Sequence, residues 1–357
     1  MLTKRKLRRM AKIIKGLRIN KNLFKFTGNL CKTLRGRYKH DASIDLPHPT
    51  TLMLELTNKC NLRCITCPRE HDYGKKMDIG NMDTSLAKEI VDHAYPYLQS
   101  IGLTGMGETL FAPNLKEVAA YIKSKKKDIV IFISTNANFA DFTDRIKPVM
   151  PYLDTIQISI DGVGEGYELI RKGGSFELLE KNITELESLV CNSDIDIMLN
   201  MVITKENFMM MSDVIRFADR HNIKYINFNY FNLASVTDTD TSYYDFYRSK
   251  EYGQVLAKTM ECAREFPDIE ITGLELPTTE RGRKACPLIW NHFQINHDGE
   301  VPPCCAKPFP KEATFGNVNG RSIREVINSE QARNFRAAWI NGTPPAFCEK
   351  CHFIHLY

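Results

Sequence analysis

The sequence predicts an α/β protein: a parallel sheet with helices outside it, followed by a small cysteine-bearing region. Three observations predict this. Six apolar, β-branched runs recur between residues 51 and 231 with amphipathic helical stretches between them, and such alternation makes a parallel sheet, wound open or as a partial barrel. The alternation stops near residue 265. Beyond it cysteines return in a spaced set, and Asp298-Gly299 signals a turn between two apolar runs. The 357 residues suit one large domain and a smaller one, divided here as residues 1–46, 47–265 and 266–357.

The first 40 residues stand apart. They hold 14 of the 48 Lys and Arg residues and no Asp or Glu, so residues 41–357 set the other 34 bases against all 43 acids, a net of −9. Leu7, Met10, Ile13, Ile14 and Leu17 fall at helical spacing between the bases, the pattern of a basic amphipathic helix. Three readings compete. The apolar stripe packs on the body, or it lies on an anionic membrane surface where each base adds about 1 kcal/mol, or it meets an acidic partner. Aromatic residues in residues 1–40 are sparse, so no specific nucleic acid is expected. No apolar run is long enough for a membrane span, and no secretory signal is evident. Eleven cysteines in clustered spacings point to ligation in a reducing compartment. The expectation is a cytoplasmic protein, peripheral at the inner membrane face if the head is an anchor.

Pro47 and Pro49 lead into the body. Strands are expected over 51–57, 100–105, 129–135, 155–162, 196–204 and 225–231, with helices near 84–98, 113–126, 141–150, 176–190 and 207–221. Asp83 or Thr84 can cap the first helix. Ligands in such folds sit at the carboxyl ends of the strands. The first strand leads into Asn58-Lys59-Cys60-Asn61-Leu62-Arg63-Cys64-Ile65-Thr66-Cys67, three cysteines at Cys-x3-Cys-x2-Cys spacing. Three thiolates on one loop can hold three corners of a cubane iron–sulfur cluster, leaving one iron open to a substrate or cofactor. A zinc knot needs a fourth local ligand, and His71 is the nearest candidate.

The other strand ends read as one polar pocket above that loop. The second strand is followed by Gly105-Met106-Gly107-Glu108, glycines for close backbone approach and a carboxylate for a cationic amine. The third is followed by Ser134-Thr135-Asn136. After the fourth come Ser159-Ile160-Asp161 and then Arg171, a natural partner for a carboxylate. Tyr225, Asn227, Asn229, Tyr230 and Glu275 can line the space toward the tail.

These segments, in this order, resemble the radical S-adenosylmethionine (SAM) superfamily over roughly residues 50–230. The resemblance implies a partial (β/α)6, TIM-like barrel, a [4Fe–4S] cluster on Cys60, Cys64 and Cys67, and SAM at its open iron. It implies Glu108, on the loop with Gly105 and Gly107, for the SAM amine. Ser159 and Arg171 are implied for the carboxylate or nearby polar contacts, and Ser134, Asn136 and Asp161 for the ribose side. Met106 departs from the family's usual Gly-Gly-Glu and leaves Gly107 and Glu108 intact. The family's reaction cleaves SAM reductively to a 5′-deoxyadenosyl radical that removes a substrate hydrogen, fed by an external electron donor such as flavodoxin or ferredoxin.

In the tail, Cys286 precedes the run 288–295, Cys304 and Cys305 end the run 301–305, and Cys348 and Cys351 follow a helical stretch near 322–340. A hairpin and a returning helix would bring four thiolates from three segments into a closed site for zinc or a fully ligated [4Fe–4S] cluster. This tail resembles a SPASM domain in its shortened, twitch-like form. The resemblance implies one auxiliary [4Fe–4S] cluster on Cys286, Cys304, Cys348 and Cys351, with Cys305 spare. Cys31, Cys191 and Cys262 read as ordinary buried cysteines.

An auxiliary cluster beside a radical-generating site suggests an electron sink. With a hydroxyl beside the radical, the result is a two-electron oxidation of alcohol to ketone, and the similarity to radical SAM alcohol dehydrogenases with a single auxiliary cluster makes a sugar or cyclitol alcohol the expected substrate. The alternatives are peptide or protein modification, by maturation or crosslinking, and radical epimerisation. A redox-silent metal-binding scaffold is the remaining class. The substrate is a small molecule or a peptide.

Overall fold

The computed structural model describes residues 41–236, 238–277, 286 and 288–356. The basic helix expected in residues 1–40, and Cys31 with it, lie outside the described residues. Eight strands form the sheet: β1 (Thr51–Leu54), β2 (Ser100–Gly102), β3 (Val130–Thr135), β4 (Thr155–Ser159), β5 (Asp196–Ile203), β6 (Tyr225–Tyr230), β7 (Glu270–Thr272) and β8 (Phe293–Ile295). Their order is β7-β6-β5-β4-β3-β2-β1-β8, and every pairing is parallel. The α/β class and the six-strand core expected from the sequence are present. Most strands stop short of the apolar runs that predict them, because the chain after Leu54, Gly102 and Ser159 turns over the sheet's end.

The period-2 alternation of a strand sorts its side chains to two faces. Ile131, Ile133, Ile156, Ile158, Leu199, Met201 and Ile203 are fully buried in the core. The alternate positions Ser134, Gln157, Ser159, Asn200, Val202, Asn227 and Asn229 are only half-buried. One face is thus an apolar core, and the other carries amides and hydroxyls toward the carboxyl ends of the strands, beside Phe132 and Val202 and with Asp196 at the opposite end of β5.

Around the sheet lie the helices α1 (Asp72–Lys75), α2 (Thr84–Ala94), α3 (Leu115–Lys125), α4 (Phe142–Ile146), α5 (Glu165–Ile170), α6 (Phe176–Val190), α7 (Met211–Arg220) and α8 (Lys250–Glu265). Asp83 caps α2 by accepting from Ser85 N at 2.7 Å, and Ser175 caps α6 by accepting from Leu178 N at 3.3 Å. Helix α8 lies outside the expected set. Its buried stripe, Tyr252, Leu256, Thr259 and Cys262, mixes polar and apolar types and reads weakly as amphipathic. Cys262 is buried as expected, whereas Cys191, just past α6, is exposed.

The C-terminal region closes both edges of the sheet. β7 pairs with β6 and β8 with β1, in register Leu52↔Phe293. This corrects the expected hairpin of 288–295 with 301–305. Residues Leu288–Asn291 are a helical turn, and β8 satisfies the backbone groups of β1 that an edge would leave unpaired. The Asp298-Gly299 turn does form, with Gly299 at φ +85° and its N–H donating to Asn296 O at 2.9 Å. Its return leg pairs further on: Val301 N donates to Gly316 O at 2.9 Å and Phe315 N to Val301 O at 2.8 Å. The chain enters the body against the C-terminal helices, where Leu46 N donates to Asn328 Oδ1 at 2.7 Å. Among the described residues, no helix is long and apolar enough to cross a membrane.

Candidate active site and cluster sites

The Cys60–Cys67 loop leaves β1 at its carboxyl end and is pinned from two sides. Arg63 N donates to Lys172 O at 3.0 Å and Ile65 N to Ile170 O at 2.9 Å, so the end of α5 and the residues just after it carry the loop's middle. Glu108 N donates to Lys59 O at 2.7 Å, so the chain after β2 carries its start. Gly107 is required for that second contact. A Cβ there would come within 2.5 Å of Thr57 O and 2.7 Å of Lys59 O. The glycine therefore serves backbone-on-backbone packing beneath the pocket. Gly107→Ala is expected to cost about 1–3 kcal/mol, an overpacking cost, measurable as a lower midpoint in chemical denaturation.

Cys60, Cys64 and Cys67 line one cavity with Gly105, Gly107, Glu108, Ser134, Asn136, Ser159 and Arg171, an empty space of ≈ 740 Å³ that includes open solvent. Ten of the eleven expected residues of this site are therefore together. Asp161 is the exception. It is fully buried behind the wall, where it forms an ion pair with Arg171 Nη2 at 2.9 Å and accepts from Val202 N at 2.8 Å. Expected on the ribose side, it instead holds the guanidinium. His71 is not drawn into the site: its Nε2 lies 3.2 Å from Ile65 O.

The electrostatics suit an anionic, sulfur-rich occupant. Burial raises the thiols of Cys60 and Cys64, and Cys67 to about 12, so a bound metal must displace their protons. Arg171 Nη1 lies 3.8 Å from Cys64 Sγ, and Asn136 Nδ2 lies 3.8 Å from Cys60 Sγ. Burial opposes the Arg171 charge, but Asp161 and Cys64 more than offset it and hold the pKa up. Among the described residues, no three His, Cys, Asp or Glu side chains are placed to hold a single metal ion. Three cysteines spread along one loop, with N–H donors behind the sulfurs, fit the corners of a cluster.

Glu108 is buried, and its carboxylate accepts from Asn136 N at 2.7 Å and Leu110 N at 3.2 Å. Burial nevertheless raises its pKa to about 7, against the pull of those bonds. The remaining lone pairs of the carboxylate are available to a cation.

The second cysteine set also converges. Cys286, Cys304, Cys348 and Cys351 line one pocket, an empty space of ≈ 420 Å³ that includes open solvent, with Leu288, Ile289, Pro303, Trp339 and Phe353 among its apolar walls. Cys305 is not part of that lining. Burial raises Cys286 to about 11 and Cys351 to about 12. Four thiols, those of Cys286, Cys348 and Cys351 buried and that of Cys304 half-buried, surround an apolar space and form a closed donor set, which fits a fully ligated cluster.

Sequence reasoning missed Thr66, Thr104, Asn200 and Val202, which complete the first cavity, and Glu55 and His297 behind it. Of the residues expected toward the tail, Asn227 and Asn229 sit on the polar inner face. The hydroxyl of Tyr230 donates to the backbone carbonyl of Glu275. The signal for Asn200 was available: a lone Asn among apolar residues in Asp196–Ile203.

Comparison with known proteins agrees with this arrangement. Residues 54–218 match the radical SAM superfamily, and residues 286–352 match the SPASM iron–sulfur cluster-binding domain. The tungsten-containing aldehyde ferredoxin oxidoreductase cofactor-modifying protein of Pyrococcus furiosus is 25% identical over 322 residues, covering 84% of this chain and 86% of that protein. The antilisterial bacteriocin subtilosin biosynthesis protein AlbA of Bacillus subtilis is 23% identical over 320 residues, covering 87% of this chain and 65% of AlbA. Streptococcus suis SuiB, solved bound to precursor peptide SuiA, shares the fold with a TM-score of 0.63 at 15% identity, over 92% of this chain and 74% of that one. The chain belongs to the radical SAM superfamily and carries a C-terminal SPASM domain: it is a radical SAM enzyme that uses SAM, a SAM-binding [4Fe–4S] cluster and auxiliary iron–sulfur ligation.

Proposed function

We propose that this enzyme modifies a peptide at an unactivated C–H bond. The observation that carries this reading is the uncharged amide wall beside the cluster cavity. Asn200 Oδ1 accepts from Asn227 Nδ2 and from Asn229 Nδ2, each at 2.9 Å, and Thr272 Oγ1 donates to Asn227 Oδ1 at 2.7 Å. Amide side chains both donate and accept, which matches the backbone amides of a peptide without selecting for charge. AlbA, named for bacteriocin biosynthesis, and SuiB, solved with a precursor peptide, support the same substrate class. They move the reading from the sugar or cyclitol oxidation expected from sequence to its alternative.

In this proposal Cys60, Cys64 and Cys67 hold the SAM-binding cluster, and Cys286, Cys304, Cys348 and Cys351 hold an auxiliary one. When bound, the cluster and SAM supply the radical that takes the substrate hydrogen. The protein's part is to orient and to exclude water. Glu108 would receive the SAM ammonium. Arg171, held by Asp161 and 3.8 Å from Cys64 Sγ, would offer its guanidinium to the SAM carboxylate. Ser134, Asn136 and Ser159 offer hydrogen bonds along the wall. Electrons come from an external donor of the flavodoxin or ferredoxin kind.

Two measurements test these assignments. Iron-loaded enzyme, SAM and dithionite are incubated with a pool of synthetic peptides or with a pool of polyols. A peptide product lighter by two hydrogens is the expected result, and SAM turnover that depends on a polyol contradicts it. Separately, SAM affinity is expected to rise with pH through about 7 as the Glu108 carboxyl ionises. Glu108→Gln, measured by equilibrium dialysis, should weaken binding by about 2 kcal/mol, roughly 30-fold, and remove that rise.

A further inference from the structure

We infer that Glu55 and His297, both outside the active-site cavity, are a positioning pair that clamps the Gly105–Glu108 loop to the C-terminal domain and so sets SAM affinity. Glu55 follows β1 and is 2% exposed. One carboxylate oxygen accepts from Met106 N at 2.6 Å. The other faces His297 N at 3.4 Å and His297 Nδ1 at 3.3 Å. The Glu55 backbone N–H is itself tied to β8, donating to Ile295 O at 2.9 Å.

The packing on either side leaves this carboxylate no slack. A Cβ on Gly105 would come within 2.3 Å of it. Behind it, the His297 ring lies so close to Gly80 that a Cβ there would meet ring atoms at 2.7 Å. Gly80 N in turn donates to Asn58 Oδ1 at 2.9 Å, two residues before Cys60. One buried carboxylate therefore joins the strand that feeds the cluster loop, the loop that carries Glu108, and the turn at Asn296–Glu300 of the C-terminal domain. Neither Glu55 nor His297 lines the active-site cavity. They line a neighbouring pocket behind Met106, an empty space of ≈ 440 Å³ that includes open solvent.

The clamp depends on the charge of His297. The groups facing the ring are Glu55, Asp298 and Asp78, with Lys311 paired to Asp78 at 3.1 Å. The hydrogen bond to Glu55 raises the His297 pKa above its ordinary 6.5, against the opposing effect of burial. The protonated ring makes a charge-assisted bond to Glu55, and the neutral ring does not. The hold on the 105–108 loop therefore weakens as pH rises through that raised value.

The test compares SAM dissociation constants of the iron-loaded enzyme and its His297→Gln variant by anaerobic equilibrium dialysis, from about pH 6 to about pH 9. The ratio of the two constants cancels the titrations of SAM itself and of Glu108, which are common to both proteins. The expected ratio is about tenfold at the acid end, falling toward one as His297 loses its proton in the unaltered enzyme. Glu55→Gln should show the same loss at the acid end, and iron content should match in all three proteins. A ratio near one throughout, or a loss of affinity that stays constant with pH, overturns the inference. If His297→Gln fails to load iron, His297→Asn takes its place in the same ratio.

Discussion

Replacing Cys64 with alanine is expected to remove about four of about eight irons per chain and to abolish 5′-deoxyadenosine formation. The three cysteines of the loop are the whole local donor set, and Cys64 is the one against which Arg171 is placed. Cys351→Ala is expected to lose the other half of the iron while SAM cleavage continues without a modified peptide. Cys305→Ala should keep all of it, since Cys304 and not Cys305 lines the four-cysteine cavity. Iron assay with chromatographic detection of 5′-deoxyadenosine checks all three. Unchanged iron in Cys64→Ala, or equal losses in Cys304→Ala and Cys305→Ala, would contradict the ligand assignment.

The second large effect is structural. Asp161→Asn is expected to destabilise the fold by about 3–5 kcal/mol, because it strands a buried guanidinium without its counter-charge. The side chains of Arg171 and Asp161 are 10% and 0% exposed. The carbonyls on either side of Arg171, from Ile170 and Lys172, carry the cluster loop, so iron retention should fall with stability. The carbonyl oxygen of the substituted amide can still accept the bond from Val202 N, which isolates the charge as the cause. Adding Arg171→Gln to Asp161→Asn should recover part of the loss in a double-mutant cycle. Denaturation of iron-loaded protein reads the cost, and a loss under about 1 kcal/mol would place the pair among ordinary ion pairs.

Much of this was legible in the sequence, for physical reasons that differ from element to element. β1 to β6 announce themselves because burial of a parallel sheet demands β-branched apolar runs. The first cysteine loop was legible because its ligands are local. β7 was not, because its three residues show no period and it forms on the unpaired edge of β6; β8 falls in the run 288–295 expected as a hairpin strand, but its partner is the distant edge of β1. The same limit applies to the site. Glu108 and Arg171 follow strands and could be placed by topology. The role of Asp161 behind Arg171 depends on how α5 returns the chain, and the pairing of Glu55 with His297 spans most of the sequence. Which of Cys304 and Cys305 faces the cavity depends on the turn geometry after Pro303, which spacing does not encode.

In the proposed reaction a peptide occupies the amide-lined space beside the cluster cavity and gives up a hydrogen atom there. The most direct test supplies peptides deuterated at Cα and Cβ to iron-loaded enzyme with SAM and dithionite, and measures label in 5′-deoxyadenosine by mass spectrometry. Deuterium from the peptide is the predicted result, lost in an Asn200→Leu variant that still binds SAM. Unlabelled 5′-deoxyadenosine with every peptide, together with label from a deuterated polyol, would contradict it.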